Sequence, residues 1–130
     1  HRDQPWLIPS GGPGVQTLLP IMLTAALRGH LSVEQVVRLI SAEPARLFGL
    51  DGRKGAIEPG LDADLCVYDP RPQTVMTRDK MLSKARDVDK LYDGMPLQGE
   101  VVTTISAGRI VFSEGEILAE RGSGRFIAPD

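Results

Sequence analysis

Opening an unactivated carbonyl compound needs a nucleophile, a proton shuttle and a group that stabilises the developing oxyanion. The residue types that supply these are sparse in this chain. Its 130 residues include two histidines, His1 and His30, and one cysteine, Cys66. No His-x-His, His-Glu-x-x-His or Cys-x-x-Cys occurs, so neither a metal ligand set nor a catalytic residue is expected within it. His30 follows Gly29, where a surface or helix-capping imidazole is the plain reading. His1 precedes a glycine-rich segment and is either a site residue or the edge of a fragment. Asp62 and Asp64, two apart, are accounted for by turn chemistry and solvation of a strand entrance. Cys66 lies inside an apolar run and reads as an inert core thiol.

The exception is Ser10-Gly11-Gly12-Pro13-Gly14, which follows Ile8-Pro9 and precedes a helical pattern. Glycines there let a ligand approach the backbone closely, and amide groups ahead of a helix are ready donors. No Gly-Lys-Ser/Thr follows, so it is not a P-loop, and the spacing is not that of a dinucleotide fingerprint. From the residues alone, a ligand loop and a plain turn both stand.

The elements that must position this loop change character near residue 50. Leu18, Leu19, Met22, Leu23, Ala26 and Leu27 recur with helical spacing. They predict a helix from Thr17 to Arg28 with Thr17 as N-cap, Pro20 in the first turn and Gly29 as the stop. Ser32 with Gln35 forms a capping box for a second helix, whose buried stripe is Val33, Val36, Val37 and Ile40. A short third helix is expected from Ser41, with Leu47 and Phe48 turned inward. After that, Pro59-Gly60 suits a type II turn. Asp64 to Asp69 reads as a strand apolar on both faces, lying between two layers and stopped by Pro70 and Pro72. Val101 to Ile105, Arg109 to Phe112 and Ile117-Leu118 form a meander turned at Ala107-Gly108 and Glu114-Gly115. In the piece taken alone, the opening loop and residues 78–98 are expected to be partly disordered, and 119–130 to be a polar tail.

Fifteen basic and seventeen acidic residues give a net charge of -2, with no electrostatic footprint for nucleic acid or an anionic membrane. No apolar run approaches the roughly 18 residues of a membrane span. A lone cysteine excludes an internal disulfide framework and fits a reducing cytoplasm. A chain that opens on histidine reads as a piece of a longer protein, and its length is too small for a (β/α)₈ barrel of about 250 residues.

Four segments, in order, resemble one family. Pro9 to Pro20 resembles the loop and helix after the last barrel strand of dihydroorotases and allantoinases. Ser41 to Leu50, with Pro44-Ala45 and Phe48-Gly49-Leu50, resembles their NPA-x-x-FGL segment. Lys54 to Leu65 is similar to the KG-x-I-x-PG-x-DADL element of amidohydrolases. Tyr92-Asp93-Gly94 with Gly99, Val101 to Ile105 and Gly108 resembles the closing stretch of the cyclic amidohydrolases.

The resemblance implies an α+β piece with two parts. Residues 1–50 would hold the substrate loop and the last helices of a TIM-type barrel. Residues 51–130 would hold a small, mostly antiparallel sheet, the C-terminal part of the family's β-sandwich, and a tail. It implies a metal-dependent hydrolase of cyclic amides of the dihydroorotase, allantoinase or hydantoinase group, with one or two zinc ions held upstream. The chain alone would then be inactive. Its partners would be the remainder of the barrel, a small cyclic amide and further copies in a homo-oligomer, with neither nucleic acid nor membrane. Ser10 and Gly11 match the two residues that contact substrate through the backbone, and His1 is matched to the family's substrate-binding histidine. The alternative is a non-catalytic amidohydrolase-like scaffold or assembly subunit.

Overall fold

The computed structural model describes residues 11–87 and 91–129. Helix α1 spans Val15–Leu27. It starts two residues earlier than the sequence suggests, because the Gly14 carbonyl accepts from the Thr17 and Leu18 amides at 3.2 and 2.9 Å. Thr17 is therefore not the N-cap. Its hydroxyl donates to the Gly14 carbonyl and it is buried. Pro20 consequently lies inside the helix rather than in its first turn. Its missing N–H forfeits the bond to the Gln16 carbonyl. The other end follows expectation: Gly29 adopts φ +82°, and the Gly29 and His30 amides donate back to Ala26 and Ala25 in a Schellman closure.

The capping box forms as read: the Gln35 amide donates to the Ser32 hydroxyl and the Ser32 amide to the Gln35 side chain. It opens α2, Val33–Val37. The separate third helix is corrected. A π-turn over Arg38–Ala42 carries the helical path without a break into α3, Glu43–Leu47. Pro44 explains the widened turn, since it has no N–H for the Ile40 carbonyl and its ring would crowd that oxygen. Of the expected stripe on α2, Val36 is fully buried, while Val33 and Val37 stay half exposed. Leu47 and Phe48 do not turn inward either, being 79% and 63% exposed, and Ala45 is the buried residue of α3.

Four antiparallel strands follow in the order β1-β2-β3-β4: Leu65–Met76, Met95–Ser106, Arg109–Ser113 and Glu116–Ile117. Strand β1 runs through Pro70 and Pro72 instead of stopping there. Asp69 pairs with Glu100 and Gln73 with Gln98, so residues 70–72 bulge out opposite Gly99 alone. The Asp69 carboxylate holds the bulge by accepting from the Arg71 amide and guanidinium. Gly99 is the other half of the device. It sits at φ +88°, and a Cβ there would fall 2.6 Å from the Asp69 carbonyl oxygen and 2.7 Å from Tyr68 Cζ. The strand between two closed layers is also corrected, since Cys66 and Val67, on opposite faces of β1, are both exposed.

The meander turns where expected. Ala107-Gly108 and Glu114-Gly115 both take positive φ at each position, the signature of two-residue type I′ hairpins. The Pro59-Gly60 turn closes through Leu61 N–H to the Glu58 carbonyl, with Gly60 at φ +98°. Asp62 and Asp64 act as turn chemistry requires. Asp64 accepts from the Ala107 amide at 2.6 Å and pairs with Lys54, which also reaches Asp62 at 3.2 Å. Arg53 bonds Asp62 at 2.9 Å. Burial pushes the Asp64 carboxyl up, but the Lys54 and Ala107 bonds outweigh it and hold the group below its ordinary range.

The core is small. Met76, Met81 and Leu97 form its centre, with Ile21 from α1 and Tyr92 and Met95 packed around them. The connection from β1 to β2 is thus more ordered than the sequence suggests. Arg78–Lys80 forms a 3₁₀ turn, Met81 is only 2% exposed, and Met95 to Gln98 is strand. No helix among the described residues is long and apolar enough to cross a membrane.

Three variants test these devices. Gly99→Ala forces a side chain into left-handed backbone against Tyr68 and Asp69, and should cost about 3 kcal/mol in urea unfolding. Asp64→Ala leaves the Ala107 amide without its charged acceptor and should cost about 2 kcal/mol near neutral pH, whereas Asp64→Asn keeps an acceptor and should cost less. Because the folded carboxyl is depressed, the stabilisation is full above its ordinary 3.8 and fades as pH falls below it. The gap between Asp64→Asn and the parent should therefore close in unfolding curves taken at progressively lower pH.

Candidate functional site

The loop ahead of α1 is the only segment for which the sequence raises a ligand. Of its expected contact residues, His1 and Ser10 lie outside the described residues, and Gly11 is exposed with open space where a side chain would stand. The three are therefore not shown to converge. The loop ends at Gly14, which caps α1 without help from any side chain. The Thr17 and Leu18 amides bond the Gly14 carbonyl, and Gly14 has no side chain to cap the amides before them.

What fixes this helix start is an arrangement the sequence did not disclose. The Gln16 side chain donates from Nε2 to the Lys80 carbonyl at 2.9 Å, and its Oε1 accepts from the Leu82 amide at 2.8 Å. These two bonds span 64 and 66 residues of chain. Tyr92, from the same connection, brings its hydroxyl against Gly14, 3.6 Å from where a Cβ would sit. No spacing rule links residues so far apart, and a glutamine on a first helical turn carries no signal of its own.

Beside the loop, α1 and the sheet enclose an open groove of about 520 Å³, walled by Val15, Leu19, Met76, Leu97 and Phe112 among others. A second, of about 620 Å³, opens between the helices and the strand ends near Val37 and Ile57. Cys66 borders both. It is not the buried core thiol that the sequence suggests. Its partly desolvated setting among apolar groove walls still pushes its pKa up, against a hydrogen bond with Thr104, so it stays a thiol and a poor nucleophile. His30 is exposed at the end of α1.

No three His, Cys, Asp or Glu side chains among the described residues come together in a way that could hold a metal ion. The acidic pair nearest to such a role, Asp62 and Asp64, is engaged by Arg53, Lys54 and the Ala107 amide. These residues do not fit a metal centre, and no chemical step through a metal is assigned to them.

The model of the amidohydrolase family matches residues 16–112. The L-hydantoinase of Paenarthrobacter aurescens is 38% identical over 125 residues, covering 94% of this chain and 26% of the relative. The D-hydantoinase of Streptomyces coelicolor is 36% identical over 120 residues, covering 92% and 25%. Among solved structures, a D-hydantoinase superposes with a TM-score of 0.84 at 30% identity, over 92% of this chain and 26% of that one. The L-hydantoinase (dihydropyrimidinase) from Arthrobacter aurescens does so with 0.83 at 36% identity, over 95% and 27%. The chain thus spans about a quarter of the length of the curated relatives it matches, and over that quarter it is similar to them in sequence and in fold. It belongs to the amidohydrolase family.

Proposed function

We propose that this chain is the C-terminal portion of a metal-dependent hydrolase of cyclic amides, of the hydantoinase type. The observation that carries the reading is the match, in sequence and in fold, of nearly the whole chain to hydantoinases. That emphasis falls on the third of the groups named by the resemblance rather than on dihydroorotases or allantoinases. Residues 1–50 would bring the substrate loop and the closing helices of the barrel, and residues 51–130 the sheet of the accompanying sandwich. The metal, expected to be zinc, and the groups that ligate it would come from the rest of the protein, so the isolated chain would turn over nothing.

Within that assembly this chain's own contribution is to bind and orient. A cyclic amide presents alternating C=O and N–H groups along a flat edge. The backbone groups of Ser10 and Gly11 would pair with that edge, with His1 contributing a side-chain contact. Glycines at 11, 12 and 14 leave the backbone accessible to so close an approach. Held this way, the ring is anchored by the edge that does not react, a contribution to binding made alike in ground state and transition state. Exposed Ile110, Ile117 and Leu118 on the β3–β4 hairpin support a contact with another copy in a homo-oligomer. A lone cysteine supports a cytoplasmic setting.

A chimera tests this reading. The aligned quarter of the Paenarthrobacter aurescens L-hydantoinase is replaced by this chain, and ring opening of a 5-substituted hydantoin is followed. Turnover within about tenfold of the parent enzyme is expected, with none from the chain alone supplied with zinc. A chimera that folds and binds metal but hydrolyses no hydantoin, dihydropyrimidine, dihydroorotate or allantoin would overturn the assignment in favour of the scaffold.

A further inference from the structure

The connection between β1 and β2 touches the start of α1 at two places, and neither contact is explained by the sheet. A strand pair needs only a turn to join it. Here the chain instead leaves the sheet after Met76, sets Met81 into the core that Ile21 of α1 also joins, and is strand again from Met95. Met81 is buried against Met76 and Leu97. The backbone groups on either side of Met81, the Lys80 carbonyl and the Leu82 amide, are both taken by the one side chain of Gln16. A primary amide is the natural group for this, since it offers a donor and an acceptor in one plane as a neighbouring strand would. The second contact is Tyr92, part of the same core cluster, whose hydroxyl meets Gly14.

Both contacts bear on the same few residues. Gln16 lies two positions after Gly14, the residue whose carbonyl begins the helix. The loop from Gly11 to Gly14 has no side chain of its own to hold it, apart from the Pro13 ring. Its position is therefore inherited from the first turn of α1, which in turn is tied to the buried Met81 segment. We propose that Gln16 is a positioning residue: by bonding the Lys80 carbonyl and the Leu82 amide it fixes the Gly11–Gly14 loop at the distance from which its backbone meets the substrate. The inference rests on the reading of that loop as a substrate contact. Gln16 touches neither substrate nor metal, and acts only through the loop.

The consequence is a loss confined to binding. If the loop drifts, the edge of the ring that is not reacting loses its partners in ground state and transition state alike, so KM rises while kcat holds. Gln16→Met keeps the unbranched stem and removes both bonds. Gln16→Glu keeps the bond from the Leu82 amide and loses the one to the Lys80 carbonyl. Thr24→Val is the control, because it removes the hydroxyl that accepts from the Gln98 amide further along α1 and weakens helix–sheet docking away from the loop.

Two measurements are made. In the chain itself, Gln16→Met should raise amide exchange at Thr17 and Leu18, whose amides bond the Gly14 carbonyl, by about tenfold relative to Thr24→Val. Exchange that rises equally in both variants, or in neither, overturns the proposal, since a general loss of stability would move both alike. In the hydantoinase chimera, Gln16→Met should raise KM by about tenfold with kcat unchanged, and Gln16→Glu should fall between it and the parent. A fall in kcat at constant KM, or a KM that Thr24→Val raises as much, overturns it. An inactive parent chimera instead removes the hydrolase reading, and with it the substrate role, while the exchange still decides whether Gln16 holds the loop.

Discussion

The burial of Met81 is the contact on which the rest of the chain is arranged. Strands β1 and β2 are joined by residues 77–94 rather than by a hairpin. Closing a longer loop costs only slowly more entropy, but a connection of this length needs packing of its own to take one shape. Met81 supplies it by joining Met76 and Leu97, which bracket the end of the sheet. Ile21 closes the cluster from α1. Sheet, helix and connection thus share a single apolar centre. The Gln16 bonds then tie the two backbone groups that flank Met81 to the start of α1.

The parts of this fold that were legible in the sequence are those whose cause is local. The Ser32–Gln35 box, the Gly29 stop, the Pro59-Gly60 turn and both type I′ hairpins need nothing beyond their immediate neighbours. The misses share the opposite property. Pro70 and Pro72 look like a strand end, yet β1 continues past them because Asp69 and Gly99 absorb two extra residues in one bulge. Pro44 looks like a helix start, yet a π-turn lets the helix pass through it. Leu47 and Phe48 look like core, and their burial depends on a neighbour that the described residues do not provide. The Gln16 bridge was out of reach for the same reason, since its partners are brought near only by the fold.

The segments that carried the family resemblance turn out to have structural explanations. Lys54, Asp62 and Asp64 tie one loop to the Ala107-Gly108 hairpin. Gly55 lets that loop lie against α3, where a Cβ would come within 2.7 Å of Ala45 Cβ. Gly99 admits the β1 bulge. None of these residues offers a nucleophile or an open ligand position. The similarity to hydantoinases in this part of the chain is therefore a similarity of folding constraints, and the chemistry of those enzymes has to be argued from residues other than these.

Surface area bears on what state of the chain is the functional one. Among the described residues, large apolar side chains lie open on the helices, Leu47 at 79% and Phe48 at 63% exposed. The apolar groove beside α1, the half-exposed Val33 and Val37 and the outward Leu47 and Phe48 make up much of the visible apolar part. Covering about 1,000 Å² of such surface is worth about 25 kcal/mol before entropy is subtracted, against a typical net domain stability of about 5–15 kcal/mol. A few residues of core cannot match that figure. Any surface that covered that face would therefore weigh heavily in the energetics of the helices around the loop before α1.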